Sequence, residues 1–159
     1  MNSQGTWVIV ASLFIAVVLT ILPLPDWAAW ARPLWVLMVL IYWVLALDYR
    51  VGVGVAWLMG ILLDILGGTL FGEHALAMTI VIYIVTKLQR QIRIAPLMQQ
   101  ALIVFILSAI YLGIMYVCLG LTNRLPSNFL YWLPIFITVL FWPWLFIILR
   151  DCRRRFKVT

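Results

Sequence analysis

Charged and strongly polar residues gather at a few places along this chain, and between them run apolar stretches too long and uniform for a water-facing surface. A hydrocarbon core of about 30 Å takes about 20 apolar residues of helix. Read against that length, six spans emerge: Thr6 to Leu22, Pro33 to Leu47, Val51 to Leu66, Ala75 to Thr86, Met98 to Leu121 and Phe129 to Leu149. The second to fourth are short and borrow from their flanks, where Trp30 or Asp48 extends the second and Gly72 or Lys87 lengthens the third and fourth. The longest gaps, 23–32 and 88–97, leave no room for a soluble domain. The pattern predicts an all-α, polytopic integral membrane protein: one domain over residues 1–159, built as a bundle of six transmembrane helices, with residues 150–159 as a basic cytoplasmic tail.

Composition agrees. Hydrophobic residues make up 67% of the chain and charged ones 10%, against about 45–50% and about 25% in soluble domains. The charge layout then tests the count of spans. With six spans and the N-terminus inside, Arg50, Lys87, Arg90, Arg93, Arg150, Arg153, Arg154, Arg155 and Lys157 all fall on the cytoplasmic side. Only Arg32 and Arg124 fall outside, which accounts for all 11 Lys and Arg. Positive charge in short loops sets orientation, so the expected topology is N-in/C-in. An odd number of spans would put one basic cluster on the wrong side. The net charge of +6 needs no nucleic acid, because basic residues at a cytoplasmic membrane face explain it; anionic lipid headgroups or a cytoplasmic protein are the expected contacts.

Trp27, Trp30, Trp35, Tyr131 and Trp132 fall at the outer boundary in this frame, and Trp7, Tyr49, Trp142 and Trp144 towards the inner one, as interface anchors do. The leading MNSQGT carries no positive charge, so the first span reads as retained rather than as a cleaved signal. Cys118 and Cys152 are kept apart by topology, and neither a disulfide nor a metal site is expected. Catalysis is also not expected. The chain has one histidine, His74, no GxSxG, HExxH, CxxC or phosphate-loop pattern, and one acid, Asp64, inside a span. No cofactor is implied.

The distinctive stretch is GILLDILGGTLFGEH, residues 60–74. Gly60, Asp64, Gly68 and Gly72 recur every four residues, so an unbroken helix would set them along one face, where small residues let helix backbones approach. With Ala109, Gly113 and Gly120 on the fifth span, this makes the third and fifth spans candidates for the packed centre. Alternatively Gly67-Gly68 ends the helix, and Gly72 then leaves the stripe. A charge at mid-bilayer costs about 2.5–3.5 kcal/mol, so Asp64 is either part of an ion, proton or solute path or a packing and partner-docking contact. The second reading is favoured because no other intramembrane acid or base is placed to complete a relay. Pro143, inside the sixth span, removes a backbone donor and should kink the helix, tilting the basic tail; it reads first as a proline that a membrane helix tolerates, and alternatively as one that shapes a groove for another helix.

The opening SQGTWVIVASLFIAVVLTILPLPD, the segment from RPLWVLMVLIYW to GGTLFGEHALAM and the closing WPWLFIILR together resemble the MreD family of bacterial rod-shape-determining membrane proteins. The resemblance covers nearly all of the chain. It implies a non-catalytic inner-membrane scaffold subunit of the cell-elongation machinery, with MreC as direct partner. Through MreC it implies the MreB filament and the glycosyltransferase and penicillin-binding transpeptidase that build lateral peptidoglycan. It also implies a shape similar to the six-helix substrate-binding subunits of energy-coupling-factor transporters, which keeps open a small-molecule-binding transporter subunit as the competing function. On this reading Gly60, Asp64, Gly68 and Gly72 are structural or face MreC, and the loop with Lys87, Arg90 and Arg93, with Arg153, Arg154 and Arg155, makes the cytoplasmic contacts.

Overall fold

A computed structural model describes residues 3–28, 31–47, 51–68 and 72–158. Among these residues the chain forms six α-helices and no strand: α1 (Ser3–Ile21), α2 (Trp35–Ala46), α3 (Val53–Gly67), α4 (Glu73–Ile94), α5 (Leu97–Leu121) and α6 (Leu133–Arg155). A 3-10 turn, Phe129–Trp132, leads into α6. Trp30, Asp48, Tyr49 and Arg50, which entered the span, aromatic and charge arguments, lie outside the described residues.

The centre of the bundle is α2. Its sequence WVLMVLIYWVLA has no polar face, and every residue from Val36 to Leu45 is buried, as expected of a helix apolar all round. It packs on α4, α1 and α6, while α3 packs chiefly on α4. The expectation that the third and fifth spans form the centre is therefore corrected. α3 and α5 are both peripheral, and a methyl at Gly113 would meet no atom within 4 Å. What the glycine pattern missed is that a helix can be central by having no polar side at all. α4 shows the complementary case, burying Met78, Val81, Ile82, Val85 and Ile92 at helical spacing. A polar tie joins α1 to the centre, where the Trp43 indole N–H donates to Ser12 Oγ at 2.8 Å and the Ser12 hydroxyl donates to the Ile9 carbonyl.

Around α2 the other five helices turn large apolar side chains outwards: Phe14 of α1, Leu58 of α3, Ile80 of α4, Ile106 of α5 and Leu140 of α6 among them. Soluble monomers rarely expose apolar patches beyond a few hundred Å². Asp64, Glu73, Gln100, Ser108 and Thr138 are buried instead. An apolar exterior over polar buried groups is the pattern of a membrane protein. Among the described residues two helices, Leu97–Leu121 and the Phe129–Arg155 stretch, are individually long and apolar enough to cross a bilayer.

Helices run past the apolar windows at the basic ends. Lys87, Arg90 and Arg93 lie on the last turns of α4 rather than in a loop, and Arg153, Arg154 and Arg155 form the last turn of α6 rather than a free tail. Cations at a helix C-terminus complement its dipole, so charge ends the apolar run without ending the helix. α6 closes with Lys157 at φ 49°, the Val158 N–H on the Arg153 carbonyl at 3.0 Å and the Lys157 N–H on that of Arg154 at 3.3 Å, a Schellman closure. α6 is continuous across Pro143. Trp142 is fully buried and is not an interface anchor, whereas Trp7 and Trp144 are exposed.

Candidate functional site

The sequence at residues 60–74 builds a tight helical hairpin, and its second branch is the one realised: α3 ends at Gly67. Gly68 takes φ 63° as the left-handed cap, with its N–H on the Asp64 carbonyl, and Gly72 takes φ 103° at the start of α4. Both conformations suit glycine and strain other residues. Gly68 and Gly72 therefore serve the turn, and of the four-residue stripe only Gly60 and Asp64 remain on a helical face. A Cβ at Gly60 would overlap the Ala75 backbone and sit 2.8 Å from the His74 carbonyl carbon. Its absence lets α3 lie directly against the first turn of α4.

That approach brings the Asp64 carboxylate, 1% exposed, onto the N-terminus of α4. Oδ2 accepts from the Gly72 N–H at 2.9 Å and the Ala75 N–H at 3.4 Å; Oδ1 accepts from the His74 N–H at 3.0 Å and from His74 Nδ1 at 2.8 Å. The first N–H groups of a helix have no intrahelical acceptor, and Gly72 has no side chain to supply one. Asp64 supplies it from the neighbouring helix. Its negative charge also sits at the positive end of the α4 dipole. Among the described residues, four N–H donors on its two oxygens replace water that a buried carboxylate loses.

His74 is the partner the sequence reading missed. It lies ten residues beyond Asp64 and across the turn, outside the apolar span, where a relay built from intramembrane charges does not extend. Taking Gly67-Gly68 as the end of one helix and Gly72 as the start of the next would have exposed the pairing. With Nδ1 donating to Asp64, the neutral ring has Nε2 as its acceptor. The His74 side chain is 21% exposed and lines a cavity of about 280 Å³ with Leu37, Leu63, Met78, Tyr111 and Met115. Tyr111 lies beside it, ring centroids 6.4 Å apart, and the Tyr131 hydroxyl donates to the Leu112 carbonyl at 3.0 Å across the α5–α6 joint. The cavity wall takes residues from the ends of α1, α3 and α5 and the beginnings of α2, α4 and α6, so successive helices alternate in direction. The arrangement can bind an apolar group against one imidazole. Among the described residues no three His, Cys, Asp or Glu side chains stand close enough to hold a metal ion.

The remaining predicted residues lie at the far end of the bundle. Arg93 and Arg153 meet at a second cavity there, and Arg93 Nε donates to the Leu45 carbonyl at 2.7 Å, closing the end of α2. Lys87 rests over the Tyr83 ring, and Arg90, Arg154 and Arg155 are exposed. Cys118 and Cys152 are both free thiols.

Compared with known families, residues 1–152 match the model of the rod shape-determining protein MreD. The chain belongs to the MreD family. The rod shape-determining protein MreD of Haemophilus influenzae is 33% identical to it over 157 residues, covering 96% of this chain and 94% of that protein. No solved structure matches. The family resemblance read from the sequence thus stands, and with it a role in determining rod shape. The Asp64 hairpin and the cavity beside it fall within the stretch that matches MreD.

Proposed function

We propose that this MreD-family chain is a non-catalytic scaffold that crosses the bacterial inner membrane six times, N-in/C-in, binds MreC and helps to position lateral peptidoglycan synthesis. The full-length match to MreD carries the proposal. The apolar exterior of five helices, the alternating helix directions and the gathering of arginines at one end support the membrane topology. Gly60, Asp64, Gly68 and Gly72 act within the scaffold by fixing the α3–α4 hairpin, since the backbone of α4 already covers Gly60. Lys87, Arg90, Arg93 and Arg153 to Arg155 make the contacts with lipid headgroups and cytoplasmic proteins, and MreB and the synthetic enzymes are reached through the complex.

Depletion of the protein is expected to abolish rod shape and MreC association, and Asp64→Asn to insert normally while lowering the recovery of MreC. Intact shape and intact MreC association after depletion would sink the proposal. A second reading, a small-molecule-binding transporter subunit, is favoured by the cavity beside Asp64 and His74. It requires saturable binding of a cell-derived small molecule by the reconstituted protein. Neighbouring genes for shape determination favour the scaffold; a neighbouring pair of ATPases favours the transporter.

A further inference from the structure

At the end of the bundle remote from Asp64, α2, α4, α5 and α6 enclose a cavity of about 340 Å³ lined by Tyr42, Arg93, Gln100, Phe146, Arg150 and Arg153. Three arginines from two helices line it, and among the described residues no Asp or Glu does. Arginines brought together repel unless each finds acceptors. Helix C-termini offer one outlet, and Arg93 uses it through the Leu45 carbonyl. The arginines of α6 are different. Arg150 Nε is buried with no hydrogen-bond partner among the described residues. The carbonyls of Arg153 and Arg154 are taken by the backbone closure of α6 itself. Gln100, 3% exposed, donates its amide N–H groups to the Ile92 and Ala95 carbonyls at 3.0 and 3.3 Å. Its Oε1 is buried without a partner among the described residues. The cavity therefore combines strong cationic donors with one unused acceptor.

We propose that this cavity is a binding site for a phosphate group, held by Arg150 and Arg153 with Arg93 at its edge. Gln100 Oε1 accepts a hydrogen bond from a hydroxyl or ammonium group on the same molecule. Planar guanidinium groups bind phosphate through paired N–H donors. Basic pockets between helices on the cytoplasmic side of a membrane select anionic headgroups in this way. The phosphate belongs either to a phospholipid headgroup or to a free phosphate compound. The lipid source rests on the topology proposed above; the chemistry of the cavity does not.

The test uses the purified full chain in neutral detergent, titrated separately with phosphatidylglycerol, inorganic phosphate and diacylglycerol, and read by native mass spectrometry and thermal unfolding midpoint. Saturable one-to-one binding of phosphatidylglycerol is expected, weakened roughly 10- to 100-fold in Arg150→Gln/Arg153→Gln. Arg124→Gln/Lys157→Gln, which removes equal charge at exposed positions outside the cavity, should stay within about twofold of the parent. If the first double variant fails to fold, Arg150→Lys/Arg153→Lys keeps the charge, loses the paired donors and should still weaken binding. Saturation by inorganic phosphate with no preference for the lipid supports the site and assigns a soluble source. Equal weakening in both Gln pairs, equal binding of diacylglycerol, or no saturable binding of either phosphate probe would overturn it. Sidedness and MreC play no part in detergent, so this result and that of the depletion experiment are separable.

Discussion

Asp64 turns from an anomaly into a cap once its donors are counted. A lone carboxylate among apolar residues is costly; one holding three backbone N–H groups and an imidazole completes a helix that has no cap of its own. Asp64→Ala leaves buried donors unanswered and should destabilise the protein by about 1–3 kcal/mol, read as a lowered unfolding midpoint in detergent. His74→Ala leaves the three backbone bonds and should cost less than half of that. Equal losses would mean that the imidazole, not the capping, holds the hairpin. The acid itself was legible in the sequence because charge is conspicuous in an apolar stretch. Its partner was not, because pairing depends on where the chain reverses, and hydropathy does not register a turn made by Gly68 and Gly72.

Among the helices, hydropathy windows and hydrogen-bonded elements answer different questions. The window at 75–86 stops at Lys87, while α4 continues to Ile94, because backbone hydrogen bonding is indifferent to a charge that extends towards solvent. The same holds for α6, which runs six residues beyond Leu149 to Arg155. The rank order of packing was equally hidden. Glycines marked α3 and α5 as the centre, yet only Gly60 among these sites meets a backbone. Gly60→Ala should force α3 off α4 and cost about 1–3 kcal/mol. Gly113→Ala, with open space around it, should be neutral or stabilise by up to about 1 kcal/mol through helix propensity. Paired thermal melts of the two variants check this, and a harmless Gly60→Ala would disprove the close crossing.

For the molecule as a whole, class and family were readable from the sequence, because the solvent acts on the entire composition and resemblance needs only ordered stretches. Sidedness stands on charge layout and calls for measurement. In a Cys118→Ser background, Cys152 should resist a membrane-impermeant maleimide in intact spheroplasts and react in inverted vesicles. The opposite pattern would reverse the topology. The buried α2 carries a consequence of its own. Its 12 residues span only about 18 Å, well short of the hydrocarbon thickness, yet it is bordered by α1, α4 and α6 and none of its large apolar side chains is exposed. Hydrophobic mismatch is a cost at the boundary between protein and lipid. In the proposed six-span topology the shortest helix is therefore excused from it, and a thicker or thinner membrane acts on the outer five, reaching the centre only by shifting the helices that surround it.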